Sequence, residues 1–325
     1  MSQLKHIKIT NFIPEKGTVG QNINLSYQLF GQDLYTAPVV LVNHALTGNS
    51  DVAGENGWWS DLVGENKVID TNQYTILSFN IPGNGFDGYV IENYKDFVAR
   101  DIANIFLIGL QELKLNELFA LIGGSLGGGI AWEMAVLNPT ITKNLITIAT
   151  DWKSTDWLIA NCQIQEQFLS NSCNPVHDAR MHAMLCYRTP ESFKERFQRS
   201  KNEELEIFNV ESWLLHHGKK LQERFQLSAY KLMNQLLRTI DVTKDREATI
   251  LDSIKASIHI IGVDSEISEE NKALIDKKIN SNPKIAHSNS LHALHSPPNT
   301  HHPMTEAHNS SQHKHTTLPH QPRTS

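Results

Sequence analysis

The 325-residue chain is poor in cysteine, with only Cys162, Cys173 and Cys186. An odd count without C-x-x-C spacing argues against a disulfide framework and against a cysteine-built zinc site. What remains are ordinary thiols of a reducing compartment. No apolar run reaches the ~18 residues of a membrane-spanning helix. The opening "MSQLKHIKITNF" lacks the apolar centre of a signal peptide, so a cytoplasmic protein with no membrane partner is expected. Basic residues form no stripe, and 29 Lys and Arg against 35 Asp and Glu give a net charge of -6. Nucleic acid is therefore not the expected partner. There are no internal repeats. At 40% hydrophobic residues, the chain can bury one large core and still carry an inserted subdomain.

What is present alternates between strand and helix. "TVGQNINLSYQLF" (18–30) alternates apolar and polar residues, as a half-buried antiparallel strand does. "APVVLVNHALTG" (37–48) and "YTILSFNIPG" (74–83) are short β-branched runs that end in turn residues, the pattern of strands covered on both faces. Residues 94–113 carry a helical stripe of Phe97, Ile102, Ile105, Phe106 and Leu110. "LFALI" is strand, 126–137 helix, and "LITIAT" (145–150) and "ASIHIIGV" (256–263) are strands again. This order predicts an α/β fold with a mostly parallel sheet wrapped by helices. Residues 1–151 would form the first part of the core and 246–284 its continuation. Residues 152–245 read as an all-helical insertion, either a lid over a substrate pocket or helices that merely lengthen the core. From 285 to 325 the chain is rich in His, Pro, Ser, Thr and Asn, with a single acid, Glu306, and no aromatic residue. Such a composition predicts disorder. Nine of the sixteen histidines fall in this tail, where without rigid spacing only incidental metal affinity is expected.

The segment with most chemical content is "FALIGGSLGGGIAWEMA" (119–135). Its G-G-S-L-G-G core fits the G-x-S-x-G nucleophile elbow, with a strand before it and a helix after it. A strained turn of this kind lifts the serine hydroxyl above the sheet, and the flanking glycines let strand and helix approach. Ser125 is the expected nucleophile. The amide of Leu126, at the start of the helix, would face a developing oxyanion. The rival, a phosphate-binding loop, lacks the Gly-Lys-Ser/Thr ending of a P-loop. A second oxyanion amide would come from "VNHALTGNS" (42–50), at Leu46. The alternative there is an ordinary turn in which His44 is a satisfied polar residue.

"NHALTGNSDVAG", "GWWSDLVGENKVIDTNQY", "FNIPGNGFDG", "GGSLGGGIAWEMA" and "HAMLCYRTPESFKERF" together resemble the homoserine O-acetyltransferase family of the α/β-hydrolase superfamily, over roughly residues 10–265. The resemblance implies an α/β-hydrolase core with a helical lid. It also implies acetyl transfer from acetyl-CoA to the hydroxyl of L-homoserine, a step of methionine biosynthesis, by a ping-pong route through an acetyl-serine. A homodimer built through the lid is implied as well. By position, Ser125 matches the acylated serine, Leu46 and Leu126 the oxyanion donors, and Arg188 an arginine that binds the homoserine carboxylate. A planar guanidinium suits a carboxylate through two parallel hydrogen bonds. From the residues alone, an ion pair of Arg188 with Glu191 or Glu195 is the competing role. Arg100 and Asp101 read as a structural pair. No metal or prosthetic group is expected, only acetyl-CoA as co-substrate.

In this fold the acid and the histidine follow the serine in that order. The acid belongs beyond "SIHIIGV", at Asp264 or Glu266, with Glu269 and Glu270 as first-turn charges of a following helix. The family's histidine lies in a G-H-D-type motif after one more strand, and an apolar helix then closes the domain. The sequence carries no such motif, strand or helix. "SLHALHSPP" offers His292 or His295 instead. Either one of these is the base, or no tail histidine is, and the residues after about Lys284 replace the family's usual end. A transferase with another donor or acceptor, such as succinyl-CoA or serine, an esterase, and a catalytically inactive pseudoenzyme are the competing functions.

Overall fold

The computed structural model describes residues 2–262 and 286–288. Its centre is an eight-stranded sheet. The strands are β1 (Lys5–Phe12), β2 (Gln21–Gly31), β3 (Val39–Asn43), β6 (Thr75–Phe79), β7 (Leu118–Gly124), β8 (Thr142–Ile148), β11 (Ser257–Ile261) and β12 (Ala286–Ser288). A two-residue parallel pair, β4 (Val63–Gly64) and β5 (Ile69–Asp70), stands apart from it. The order across the sheet is β1-β2-β6-β3-β7-β8-β11-β12. The β1–β2 and β2–β6 pairs are antiparallel, and every pairing from β6 to β12 is parallel. The fully buried strands "VVLVN" and "TILSF" sit in the middle, as continuous apolar runs require.

From β3 the chain runs to β6 on one side and then to β7 on the other. This order reversal opens a crevice at the carboxyl ends of β3 and β7, where parallel sheets place ligands. Helix α1 (Ala99–Glu112) packs one face through Ile102, Ile105, Phe106 and Leu110, all at most 1% exposed. Each such side chain contributes about 1.5–3 kcal/mol by leaving water. Helix α2 (Leu126–Leu137) is apolar nearly all round and buried along its length.

Five helices follow: α3 (Asp156–Asn171), α4 (Pro175–Cys186), α5 (Pro190–Phe197), α6 (Asn209–Gln222) and α7 (Leu227–Arg238). The chain leaves the core and returns to it side by side. Ser154 N–H donates to Ile240 O at 2.9 Å and Val242 N–H to Trp152 O at 3.1 Å. Trp152 meets Trp132 of α2 edge-on, ring centres 5.8 Å apart. Leu169, Val176, Leu221 and Leu232 of these helices join the same apolar cluster as the sheet residues. The helices therefore extend the core as well as covering the sheet's end. No helix among the described residues is long and apolar enough to cross a membrane.

Several expectations are corrected. β2 is antiparallel as expected, but Leu25 through Gln28 are buried on both faces, because Ser26 and Gln28 enter a polar network beneath the loop after β3. The helical segment holds one short hairpin, β9 (Lys201–Asn202) with β10 (Ile207–Phe208). A further strand does follow β11: β12 pairs parallel to it, His259 opposite Ala286. A three-residue strand leaves no period to read in a polar stretch, and it falls where a disordered tail was expected. Arg100 and Asp101 do not pair with each other. Asp101 accepts the amides of Val98 (2.8 Å) and Glu15 (2.9 Å), capping α1, and burial pushes its carboxyl up to about 6. Arg100 instead reaches Glu133 (3.4 Å) and Glu15 (3.5 Å).

Candidate active site

Ser125 stands at the carboxyl end of β7, immediately before α2. Its backbone is in a rare left-handed region, φ 51° and ψ -123°. A non-glycine residue persists there only where its surroundings fix it, at a cost of order 1–3 kcal/mol. The fixing contacts are visible. Ser125 N–H donates to Ile148 O at 2.9 Å, and Ser125 O accepts from Gly128 (2.9 Å) and Gly129 (3.1 Å). A β-carbon on Gly123 would overlap the backbone of Gly127, and one on Gly127 would overlap the carbonyl oxygens of Asn43 and His44. Glycine at both positions thus lets the elbow, the helix and the loop after β3 touch backbone to backbone. Ser125 itself is partly accessible.

Register brings the second element alongside. Asn43 of β3 lies opposite Gly123 of β7, so the residues after each strand emerge together. Residues Ala45 to Gly48 form a turn closed by Gly48 N–H on Ala45 O at 2.9 Å. His44 braces this turn from beneath. Its Nε2 accepts the Ile81 amide at 2.9 Å, which leaves the proton on Nδ1 to donate to Ala45 O at 2.8 Å. Burial lowers the imidazole pKa to about 4, so the ring is neutral. Below the turn, Ser50 N–H donates to Asn80 Oδ1 (2.8 Å) and Ser50 Oγ to Gln28 Oε1 (2.6 Å). Asn80 Nδ2 donates to Ser26 Oγ (2.9 Å), and Asn84 Nδ2 to Asn80 Oδ1 (3.1 Å). The amides of Leu46, in the turn, and Leu126, in the first turn of α2, have no acceptor among the described residues. Two amides without an acceptor among the described residues, one directly after Ser125 and one in the turn after the adjacent strand, are parts an oxyanion-stabilising site requires.

Arg188 lies on the helical segment. Its guanidinium stacks over Trp213, 5.6 Å from the ring centre, and its Nη1 donates to Ser192 Oγ at 3.5 Å. No ion pair with Glu191 or Glu195 forms, which removes the competing role expected from sequence. Arg196 shares the same Trp213 ring at 5.6 Å. Burial, and Arg196 secondarily, lower the Arg188 pKa. Arg224, in the connector between α6 and α7, was not singled out from sequence; its Nη1 donates to Thr47 O at 3.2 Å. The partners are 177 residues apart, so no local pattern announces the contact. Asp264, Glu266 and His292, with His295, Glu269 and Glu270, lie outside the described residues, as does the tail beyond Ser288.

Residues 38–170 match the family described as the alpha/beta hydrolase fold. A homoserine O-acetyltransferase of Trichormus variabilis is 31% identical over 282 residues, 78% of this chain and 77% of that protein. The crystal structure of homoserine O-acetyltransferase from Staphylococcus aureus is 25% identical with a TM-score of 0.69, covering 81% of this chain and 80% of the other. Esterase E22 shares the fold at 18% identity, with a TM-score of 0.76 over 89% of this chain and 93% of that one. With its serine elbow, its braced turn and this extent of likeness, the chain belongs to the homoserine O-acetyltransferase family, enzymes of the α/β-hydrolase fold.

Proposed function

We propose that the chain moves an acetyl group from acetyl-CoA to the side-chain hydroxyl of L-homoserine through acetyl-Ser125. The observation that carries this reading is the strained backbone of Ser125 beside the His44-braced turn, in a member of this family. Ser125 Oγ attacks the thioester carbonyl carbon, and the oxyanion is held by the amides of Leu46 and Leu126. The C–S bond breaks and CoA leaves as the thiol. The homoserine hydroxyl then attacks the acetyl-serine, the ester bond to Oγ breaks, and O-acetylhomoserine departs as Ser125 regains its proton. Arg188 is proposed to bind the homoserine carboxylate. Asp264 or Glu266 is proposed to orient the base.

The sequence after β11 carries no G-H-D motif, and His292 and His295 stand nearest to where one is expected. A serine without a held base is a weak nucleophile, so proton transfer is proposed to limit turnover. A cytoplasmic homodimer that contributes to methionine biosynthesis completes the reading. The exposed Trp157, Ile164 and Leu215 of the helical segment are consistent with a covered lid face.

The test is CoA release from acetyl-CoA with and without L-homoserine, with succinyl-CoA and L-serine as competing substrates. Homoserine-dependent release with acetyl-CoA supports the reading. Continued release without an acceptor, beyond the single equivalent that acetylates Ser125, assigns hydrolysis instead, and no release with any pair assigns a non-catalytic protein.

A further inference from the structure

The turn that carries the Leu46 amide is held from two sides. His44 grips it from the sheet, and Arg224 reaches it from the helical segment with its 3.2 Å hydrogen bond to Thr47 O. The bond is charge-assisted and ends on the carbonyl of the residue that follows Leu46. Arg224 makes no ion pair among the described residues, and burial and then a second cation, Arg180, lower its pKa. Among the described residues, no carboxylate competes with the Thr47 carbonyl for this guanidinium. The neighbouring Gln226 lies against Gly85, 3.4 Å from where a β-carbon would stand, in the loop after β6. The connector between α6 and α7 thus touches both loops at the carboxyl edge of the sheet.

We infer that Arg224 is a positioning residue: it tethers the helical segment to the turn after β3 and sets the direction of the Leu46 amide for acylation of Ser125. The inference rests on the acyl-transfer reading of Ser125. An amide pivoted away from the oxyanion loses most of its effect. Misplacement by about 1 Å, or loss of one donor, slows such reactions by roughly 100-fold or more. Because Thr47 is held at one remove from the donor, Arg224→Ala is expected to slow Ser125 acetylation by about 10- to 100-fold.

Two measurements on the full chain test this. Hydrogen exchange of a peptide spanning residues 44–50 should quicken in Arg224→Ala and lie between the two in Arg224→Lys, at an unchanged melting temperature. Single-turnover acetylation by acetyl-CoA should slow in parallel, and added guanidinium ion should restore part of the rate in Arg224→Ala. Unchanged exchange in Arg224→Ala would overturn the tether. Faster exchange with a wild-type acetylation rate would overturn the positioning role. If the wild-type chain itself is never acetylated, the acyl-transfer reading fails while the exchange result still decides the tether.

Discussion

The Nε2 atom of His44 accepts the amide of Ile81 at 2.9 Å, joining the end of β3 to the end of β6 through a buried, neutral ring. Protonation would set an N–H against an N–H and break the brace under the turn. The folded pKa of about 4 lies below the ordinary value of 6.5, so the unfolded chain binds the proton first as pH falls. Stability from His44 is therefore complete above pH 6.5 and is lost as pH falls toward 4. The total is of order 3 kcal/mol. Asp101, with its raised pKa, acts in the opposite direction over part of that window, so the wild-type curve alone blurs the effect. The difference in unfolding free energy between wild type and His44→Gln, measured by urea titration from pH 4.5 to 7.5, should grow with pH and level off above 6.5. A flat difference would show that the ring is not held neutral.

Among the glycines of α2, Gly127 is the one whose missing side chain makes room for the backbone of the loop after β3. Gly127→Ala places a carbon against the carbonyls of Asn43 and His44, both backbone atoms that cannot swing aside. A loss of about 2 kcal/mol or more is expected, in the range of overpacked cores. Thermal unfolding checks the stability, and Ser125 acetylation should fall with it because the turn is displaced.

Ser125→Gly should separate strain from chemistry. Glycine takes φ 51° and ψ -123° without the serine's steric penalty. The variant is expected to be about 1 kcal/mol more stable by urea titration and to have no acylation. Equal or lower stability would show that the elbow stores little strain.

Glu133 is 1% exposed and lies between Arg100 and Arg246, each at 3.4 Å. Arg100 also donates to the carbonyls of Asp241 and Lys244, where the helical segment rejoins the core. Glu133→Ala leaves two guanidinium groups without their shared carboxylate, and a loss of about 3 kcal/mol is expected by thermal or urea unfolding. Proteolysis near residues 240–246 should quicken if this junction is what loosens.

The elbow was legible because every signal in it is local: an apolar strand, paired glycines, then a helix whose bounds fall at residues 126–137 as the pattern predicts. β1 was not, because KHIKITNF places lysines along an exposed edge and buries little beyond Ile9. α4 lies inside the stretch read as helical, but its own bounds were not legible, although Asn174–Pro175 is a helix-start signal and Val176, Ala179 and Ala183 share one face. Its histidines and arginine dilute that stripe. The roles of His44 and Arg224 depend on partners 37 and 177 residues away, and only the folded sheet brings those together.

The central claim is that Ser125 carries the acetyl group between acetyl-CoA and homoserine. Intact-mass and peptide mass spectrometry of the protein after brief exposure to acetyl-CoA test it most directly. The account predicts a single acetyl adduct on Ser125, absent in Ser125→Ala and discharged by L-homoserine to give O-acetylhomoserine. Turnover with no adduct on Ser125, or activity that survives in Ser125→Ala, would contradict it.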